Sequence, residues 1–235
     1  MNVLIACEES QAICKEIRAN GHCAFSCDLQ SCSGGHPEWH IKGDCLPLLN
    51  GDCKFTTEDG KSWYLPRQWD LIIAHPPCTD LAVSGAAWFD RKRENGSQRS
   101  SIEFFCKFLD IKCDKVAIEN PVGIIGGGDY LVKYFPDLAE KYHLPVKPGC
   151  YIQPYEHGDP ARKKTCLWLK GLDPIRPTRI VEPKLVSYVK KDGSVTTYSA
   201  EFCYGFKRED RSRVSSKTYP GIAKAIADQW APPEF

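Results

Sequence analysis

No long apolar run, no large net charge and no paired-cysteine motif appear in these 235 residues, and each absence closes a class of function. No stretch approaches the ~20 consecutive apolar residues of a membrane span, so no membrane partner is expected. The segment Met1-Asn2-Val3-Leu4-Ile5-Ala6 has no basic leader and is broken by Glu8 and Glu9, which does not read as a secretory signal. A cytoplasmic setting with reduced thiols is the expectation. Lysine and arginine number 31 against 30 aspartates and glutamates, a net charge of +1. Any polyanion site must therefore come from a local patch. Thirteen cysteines are present, none in a Cys-x-x-Cys pair. The early cluster Cys23, Cys27, Cys32, His36, His40 and Cys45 matches no common zinc spacing, so no metal is expected.

What is present reads as one α/β domain, with hydrophobic residues at 42% and charged residues at 26%. Residues 2–6 form a buried strand. A polar turn follows, in which Ser10 is an N-cap candidate, and Ala12, Ile13 and Ile17 recur at helical spacing. His22 to Cys27 makes a second strand, ending in Asp28. In mononucleotide-type α/β folds a carboxylate at that tip accepts hydrogen bonds from ribose hydroxyls. A glycine-rich phosphate loop is missing, however, and Glu8 and Glu9 would repel a pyrophosphate. A phosphate-free adenosine cofactor fits better. S-adenosylmethionine is such a cofactor, and its cationic groups favour acidic neighbours. Asp44, after Gly43, is placed to meet the adenine amine. The polar stretch from Asn50 to Pro66, with a hairpin tip at Asp59-Gly60, reads as peripheral.

The centre of the reading is Trp69-Asp70-Leu71-Ile72-Ile73-Ala74 followed by His75-Pro76-Pro77-Cys78. A run of β-formers stopped by two prolines predicts a buried strand ending in a stiff loop, and the loop presents a cysteine. A second strand, Val116-Ala117-Ile118, ends comparably in Glu119-Asn120-Pro121. Ligands of open α/β sheets bind at the carboxyl ends of strands. Ile102, Phe105, Cys106 and Leu109 mark an amphipathic helix. Thr165 to Leu169 is a later strand, preceded by the cationic turn Arg162-Lys163-Lys164, which is expected to lower the pKa of the cysteine. Arg91 and Arg93 lie in a charged segment suited to a phosphate backbone. Residues 171–218 are basic, with Lys190, Lys191, Lys207, Arg208, Arg211, Arg213 and Lys217, and carry a hairpin about Lys191-Asp192-Gly193. Tyr219-Pro220-Gly221 opens a closing helix.

Pro77-Cys78 and Glu119-Asn120-Pro121 together resemble the nucleophile and Glu-Asn-Val motifs of the DNA (cytosine-5) methyltransferases, in the small form common in bacteriophage genomes. The likeness runs over most of residues 1–170 and the final helix. It implies a Rossmann-like S-adenosylmethionine-dependent methyltransferase fold: a catalytic core over 1–170, a small basic DNA-recognition insert over 171–218, and a closing helix over 219–235. It further implies catalysis by Cys78, Glu119 and Lys163, and a donor site of Cys7, Glu8, Asp28, Asp44 and Pro76. DNA contacts are expected at Arg91, Arg93, Arg162 and Lys164. The donor would be S-adenosylmethionine or a derivative, the substrate double-stranded DNA with a flipped base, and the protein a monomer in a bacterial host cell.

Two departures stand out. The family's Phe-x-Gly-x-Gly loop is here Cys7-Glu8-Glu9-Ser10, without glycine, and its Gln-x-Arg-x-Arg turn is Ala161-Arg162-Lys163-Lys164-Thr165. Two rival readings remain open. His75-Pro76-Pro77-Cys78 distantly resembles the Asp-Pro-Pro-Tyr motif of exocyclic-amine DNA methyltransferases. The altered first loop would also suit an inactive DNA-binding protein of the same fold.

Overall fold

The computed structural model describes residues 1–50, 53–65, 68–190, 192–200 and 216–233. Lys191, Lys207, Arg208, Arg211 and Arg213 of the expected basic tract lie outside the described residues.

Seven strands form one sheet: β1 (Asn2–Ala6), β2 (Cys23–Asp28), β3 (His40–Lys42), β6 (Leu71–Ala74), β7 (Val116–Pro121), β8 (Cys150–Ile152) and β9 (Thr165–Lys170). Their order is β3-β2-β1-β6-β7-β9-β8. The first five are mutually parallel, and β9 runs antiparallel to both neighbours. The order reverses between β1 and β6, and the crevice at such a reversal is where open α/β sheets hold ligands.

Alternation along the strands feeds two cores. Val3 and Ile5 of β1 face α1 (Ala12–Ala19) and the closing helix α7 (Pro220–Trp230), packing with Ile13, Ile17, Ile222 and Ile226. Leu4 and Ala6 face the opposite side, which takes Ile102, Phe105 and Phe108 of α4 (Ser97–Leu109). That side also takes Leu49 of α2 (Leu46–Asn50), Leu131 of α5 (Tyr130–Tyr134) and Leu138 of α6 (Pro136–Tyr142). Strands covered on both faces are apolar at consecutive positions, as in Leu71-Ile72-Ile73-Ala74.

The hairpin at Asp59-Gly60 forms as expected, joining β4 (Cys53–Thr56) to β5 (Ser62–Leu65). It is not peripheral. Phe55 and Trp63 each bring a ring edge to Phe25 of β2, with centroids 4.9 Å apart, and Trp69 completes the cluster. Aromatic area, which polar turn residues obscured in the sequence, draws the hairpin onto the sheet. A second hairpin, β10 (Leu185–Val189) with β11 (Val195–Ser199), stands as its own two-stranded sheet in the basic segment. The charged segment before α4 forms a short helix, α3 (Phe89–Glu94).

Among the described residues no helix is long and apolar enough to cross a membrane. No group of three or more histidine, cysteine, aspartate or glutamate side chains among them could hold a metal ion.

Because Phe25 is fully buried and joins the hairpin to the sheet, Phe25→Ala is expected to cost about 3–5 kcal/mol in a urea titration. A loss below about 1 kcal/mol would mean that the hairpin does not lean on this ring.

Candidate active site

Strands β6 and β7 are in register, with Ala74 opposite Ile118. The next residues, His75 just past the end of β6 and Glu119 still within β7, therefore lie side by side at the carboxyl end of β6. His75 Nδ1 and Glu119 Oε2 are 3.0 Å apart, and the side chains are 12% and 20% exposed. An ionised carboxylate only accepts, so Nδ1 carries the proton of this bond.

The two loops that follow are fastened together. Asn120 Nδ2 donates to the Pro76 carbonyl at 2.7 Å, which takes the backbone oxygen of the residue expected in the donor site. The Leu81 and Ala82 amides donate to the Cys78 carbonyl, Val83 N to Val122 O, and Ile124 N to Leu81 O. This approach requires glycine at 123, where a Cβ would lie 2.4 Å from Leu81 O. Lys92 completes the fastening through Asp80, at 3.2 Å, and the Thr79 carbonyl. Cys78 thus sits half-buried in a loop whose backbone is held from both sides.

Lys163 comes from the turn before β9, its amide donating to Gln153 Oε1 at 3.0 Å. With His75, Glu119, Thr165 and Tyr219 it lines a small pocket that opens to solvent. Burial pushes the Glu119 carboxyl upward, but the His75 hydrogen bond, the His75 charge and Lys163 outweigh it and hold its pKa below the usual value. Cys78 goes the other way. Burial first, then the Glu119 charge, raise the thiol above its ordinary pKa, although Lys163 and Lys92 pull it down. The basic turn does pull this pKa down through Lys163, as expected, but desolvation and a nearby carboxylate exceed the cations.

On the donor side, Cys7 adopts a left-handed backbone with φ 60° and its sulfur lies 3.8 Å from that of Cys45. Cys27 joins these two, its thiol pushed up by burial and by the charges of Cys45, Asp28 and Asp44. Asp28 and Asp44 thus converge on one acidic corner at the ends of β2 and β3. Each also serves its own turn, Asp28 Oδ1 accepting from Gln30 N and Asp44 Oδ1 from Leu46 N, both at 2.9 Å.

Glu8 does not face this corner. Its buried carboxylate turns inward and accepts from Ile13 N at 2.7 Å and Cys14 N at 3.4 Å. It fills the amino end of α1, a role expected of Ser10. The helix begins instead after Gln11, which has a left-handed backbone and no capping side chain. A carboxylate that reaches the first free amides displaces a serine cap.

The candidate DNA contacts divide. Arg91, Arg162 and Lys164 are exposed, with Lys164 Nζ 4.1 Å from the Tyr151 ring centroid. Arg93 is committed internally: it donates to Tyr130 Oη at 2.6 Å, pairs with Asp90 and lies 4.0 Å over the Tyr134 ring. Val83 and Trp88, in the segment after Cys78, are 53% and 58% exposed. Sequence reasoning gave no role to His75 or Asn120, and placed Lys92 in the charged segment suited to a phosphate backbone rather than on the Cys78 loop. A polar side chain adjoining each strand-end motif was the available pointer for the first two.

No known family's sequence profile matches the chain, and no curated protein is similar to it in sequence. Among solved structures, it is similar to a crystal structure described as a candidate DNA modification methyltransferase encoded within a prophage (E. coli). The identity is 14%, the TM-score 0.43, and the match covers 77% of this chain and 52% of the other. The chain therefore spans about half the length of that protein.

If the Asn120–Pro76 bond fixes the two loops, Asn120→Ala leaves a buried carbonyl unpaired and costs about 1–3 kcal/mol. Urea titration measures this, and an unchanged midpoint would remove the bond from the account.

Proposed function

We propose that this chain is a DNA cytosine C5 methyltransferase that uses S-adenosylmethionine or a derivative of it. The observation that carries the reading is the pairing of Cys78 and Glu119, with Lys163, at neighbouring strand ends beside the point where the sheet order reverses. Residues 1–170 would form the core, 171–218 with the β10–β11 hairpin the DNA-recognition segment, and 219–235 the closing helix.

The donor corner fits a phosphate-free cofactor. Glu8 occupies the first amides of α1, so no free helix amino end remains there for a pyrophosphate. Asp28 and Asp44 suit ribose hydroxyls, an adenine amine and cationic groups. When bound, S-adenosylmethionine supplies an electrophilic methyl carbon.

The chain's own work is to make cytosine C5 nucleophilic. Cys78 Sγ gives up its proton and bonds to ring C6, while the π electrons of C5=C6 shift toward C5 and N3 takes a proton from Glu119. The proton balance closes if the thiol's proton replenishes Glu119. Lys163 faces the same pocket and offsets the charge of Glu119 there. After transfer, the C5 proton leaves to solvent, C5=C6 re-forms with expulsion of the Cys78 thiolate, and N3 returns its proton to Glu119. Neither C5 nor C6 is open to this attack inside a duplex, so the base must be flipped into the pocket. Arg91, Arg162 and Lys164 are the exposed cations suited to holding the backbone.

Duplex DNA containing 5-fluorocytosine tests this directly, because fluorine at C5 does not leave as a proton does. Incubation with S-adenosylmethionine is expected to yield a covalent adduct that survives denaturation and vanishes in Cys78→Ala. The adduct's mass reports the transferred group. Methylation of the exocyclic amine without an adduct would favour the amine-directed reading, and DNA binding without either product the inactive one. Separately, Asp28→Ala is expected to weaken S-adenosylmethionine binding by calorimetry while leaving DNA affinity intact. Equal loss of both would remove Asp28 from the donor site.

A further inference from the structure

We infer that His75 is a positioning residue for Glu119, its Nδ1 anchoring carboxyl oxygen Oε2 so that Oε1 is presented to ring N3 of the flipped cytosine. The inference rests on the methyltransferase reading above and adds to it a residue outside the nucleophile and carboxylate motifs. Three observations carry it. The β6–β7 register delivers His75 and Glu119 side by side, with Nδ1 and Oε2 3.0 Å apart. Asn120 and the amide of His75, which donates to Ala6 O at 2.9 Å, fix both backbones, so the two side chains have little freedom to separate. The other ring nitrogen, Nε2, is buried and has no hydrogen-bond partner among the described residues.

That last point distinguishes His75 from a scaffold histidine. His40 engages Ser26 Oγ through Nδ1 and Gln30 O through Nε2. His22 engages the amino terminus through Nδ1 and Pro232 O through Nε2. Among the described residues this buried ring is satisfied at only one nitrogen, a desolvation cost that packing does not explain. Its one bond goes to the reacting carboxyl.

The groups around His75 come from several elements. Glu119 lies on β7. Glu8 is in the turn after β1, where the His75 charge lowers a carboxyl that burial raises more strongly. Lys163 precedes β9, Thr218 and Tyr219 lead into α7, and Cys78 lies on the loop of His75 itself. Addition at C6 needs Cys78 ionised and Glu119 protonated, whereas the resting directions favour the thiol and the carboxylate. The reactive form is the microstate in which one proton has moved from sulfur to carboxyl. It is populated between two limits: both groups are protonated on the acid side and both are ionised on the alkaline side. His75 holds the pKa of Glu119 down, so it places the acid limb low. Removing it lets burial raise Glu119, and the acid limb moves to higher pH.

The experiment is single-turnover adduct formation on 5-fluorocytosine duplex with S-adenosylmethionine, across pH, for wild type, His75→Leu and His75→Asn. In His75→Leu the acid limb is expected at higher pH and the plateau rate about 10²-fold lower, the scale of a misplaced reacting group. His75→Asn keeps an N–H donor near Nδ1 without a titrating ring. It should recover the plateau to within about tenfold of wild type, with an acid limb between those of wild type and His75→Leu, because it keeps the hydrogen bond to Glu119 and loses the charge of the ring. Profiles that superimpose on wild type would overturn the inference, as would lower plateaus with unmoved acid limbs, which is what a packing role produces. If His75→Leu does not fold, the His75→Asn profile alone decides. A wild-type protein that forms no adduct overturns the methyltransferase reading and this inference with it, whereas a normal adduct with unchanged variants overturns the inference alone.

Discussion

The register between β6 and β7 is the constraint on which the site depends. Parallel pairing of Ala74 with Ile118 brings two strands to the same level at the carboxyl edge of the sheet, so the residues just beyond them cannot avoid each other. A one-residue slip would turn His75 and Glu119 to opposite faces. Apolar positions packed on both faces forbid that slip, since each strand feeds one core through its odd residues and the other through its even ones. The stiffness of the site is thus inherited from the core. Asn120, Gly123 and Lys92 then carry it from the strand ends into the loops.

With that geometry fixed, the charge distribution follows. Glu119 sits between His75 and Lys163 and is held ionised, and its negative charge helps to keep the Cys78 thiol protonated. The resting site is therefore chemically quiet. A thiolate in an open pocket would react with any electrophile, whereas a thiol beside a carboxylate waits for a substrate able to take the proton. In the proposed reaction, cytosine N3 is that acceptor, and binding the base creates the nucleophile.

The acidic corner of Asp28 and Asp44 shows a related economy. A helix amino end attracts anions, and many α/β proteins use it to hold phosphate. Here the Glu8 carboxyl takes that end from within the chain. The crevice is left with Asp28, Asp44 and three thiols, which favours neutral or cationic groups. The glycine-free first loop and the buried carboxylate are one adaptation seen at two levels.

The sequence by itself determined most of the central strands, though not the short β3, and the two motifs at the ends of β6 and β7. An apolar run stopped by proline is a local pattern with a local physical cause, so Cys78, Glu119 and Asp28 could be read at strand tips from neighbouring residues alone. The amphipathic helices carrying Ile102 and Ile226 were legible for the same reason. Only the tertiary structure decided where polar side chains turn and which charge prevails. Glu8 faces the helix because Ile13 and Cys14 offer free amides. Arg93 is drawn inward because Tyr130 and Tyr134, far along the chain, lie beneath it. The Cys78 thiol is raised because burial and Glu119 exceed Lys163. His75 gains its role from a residue 44 positions away. Direction, burial and the balance of charges are sums over neighbours that the chain brings together by folding, and no window of sequence contains them.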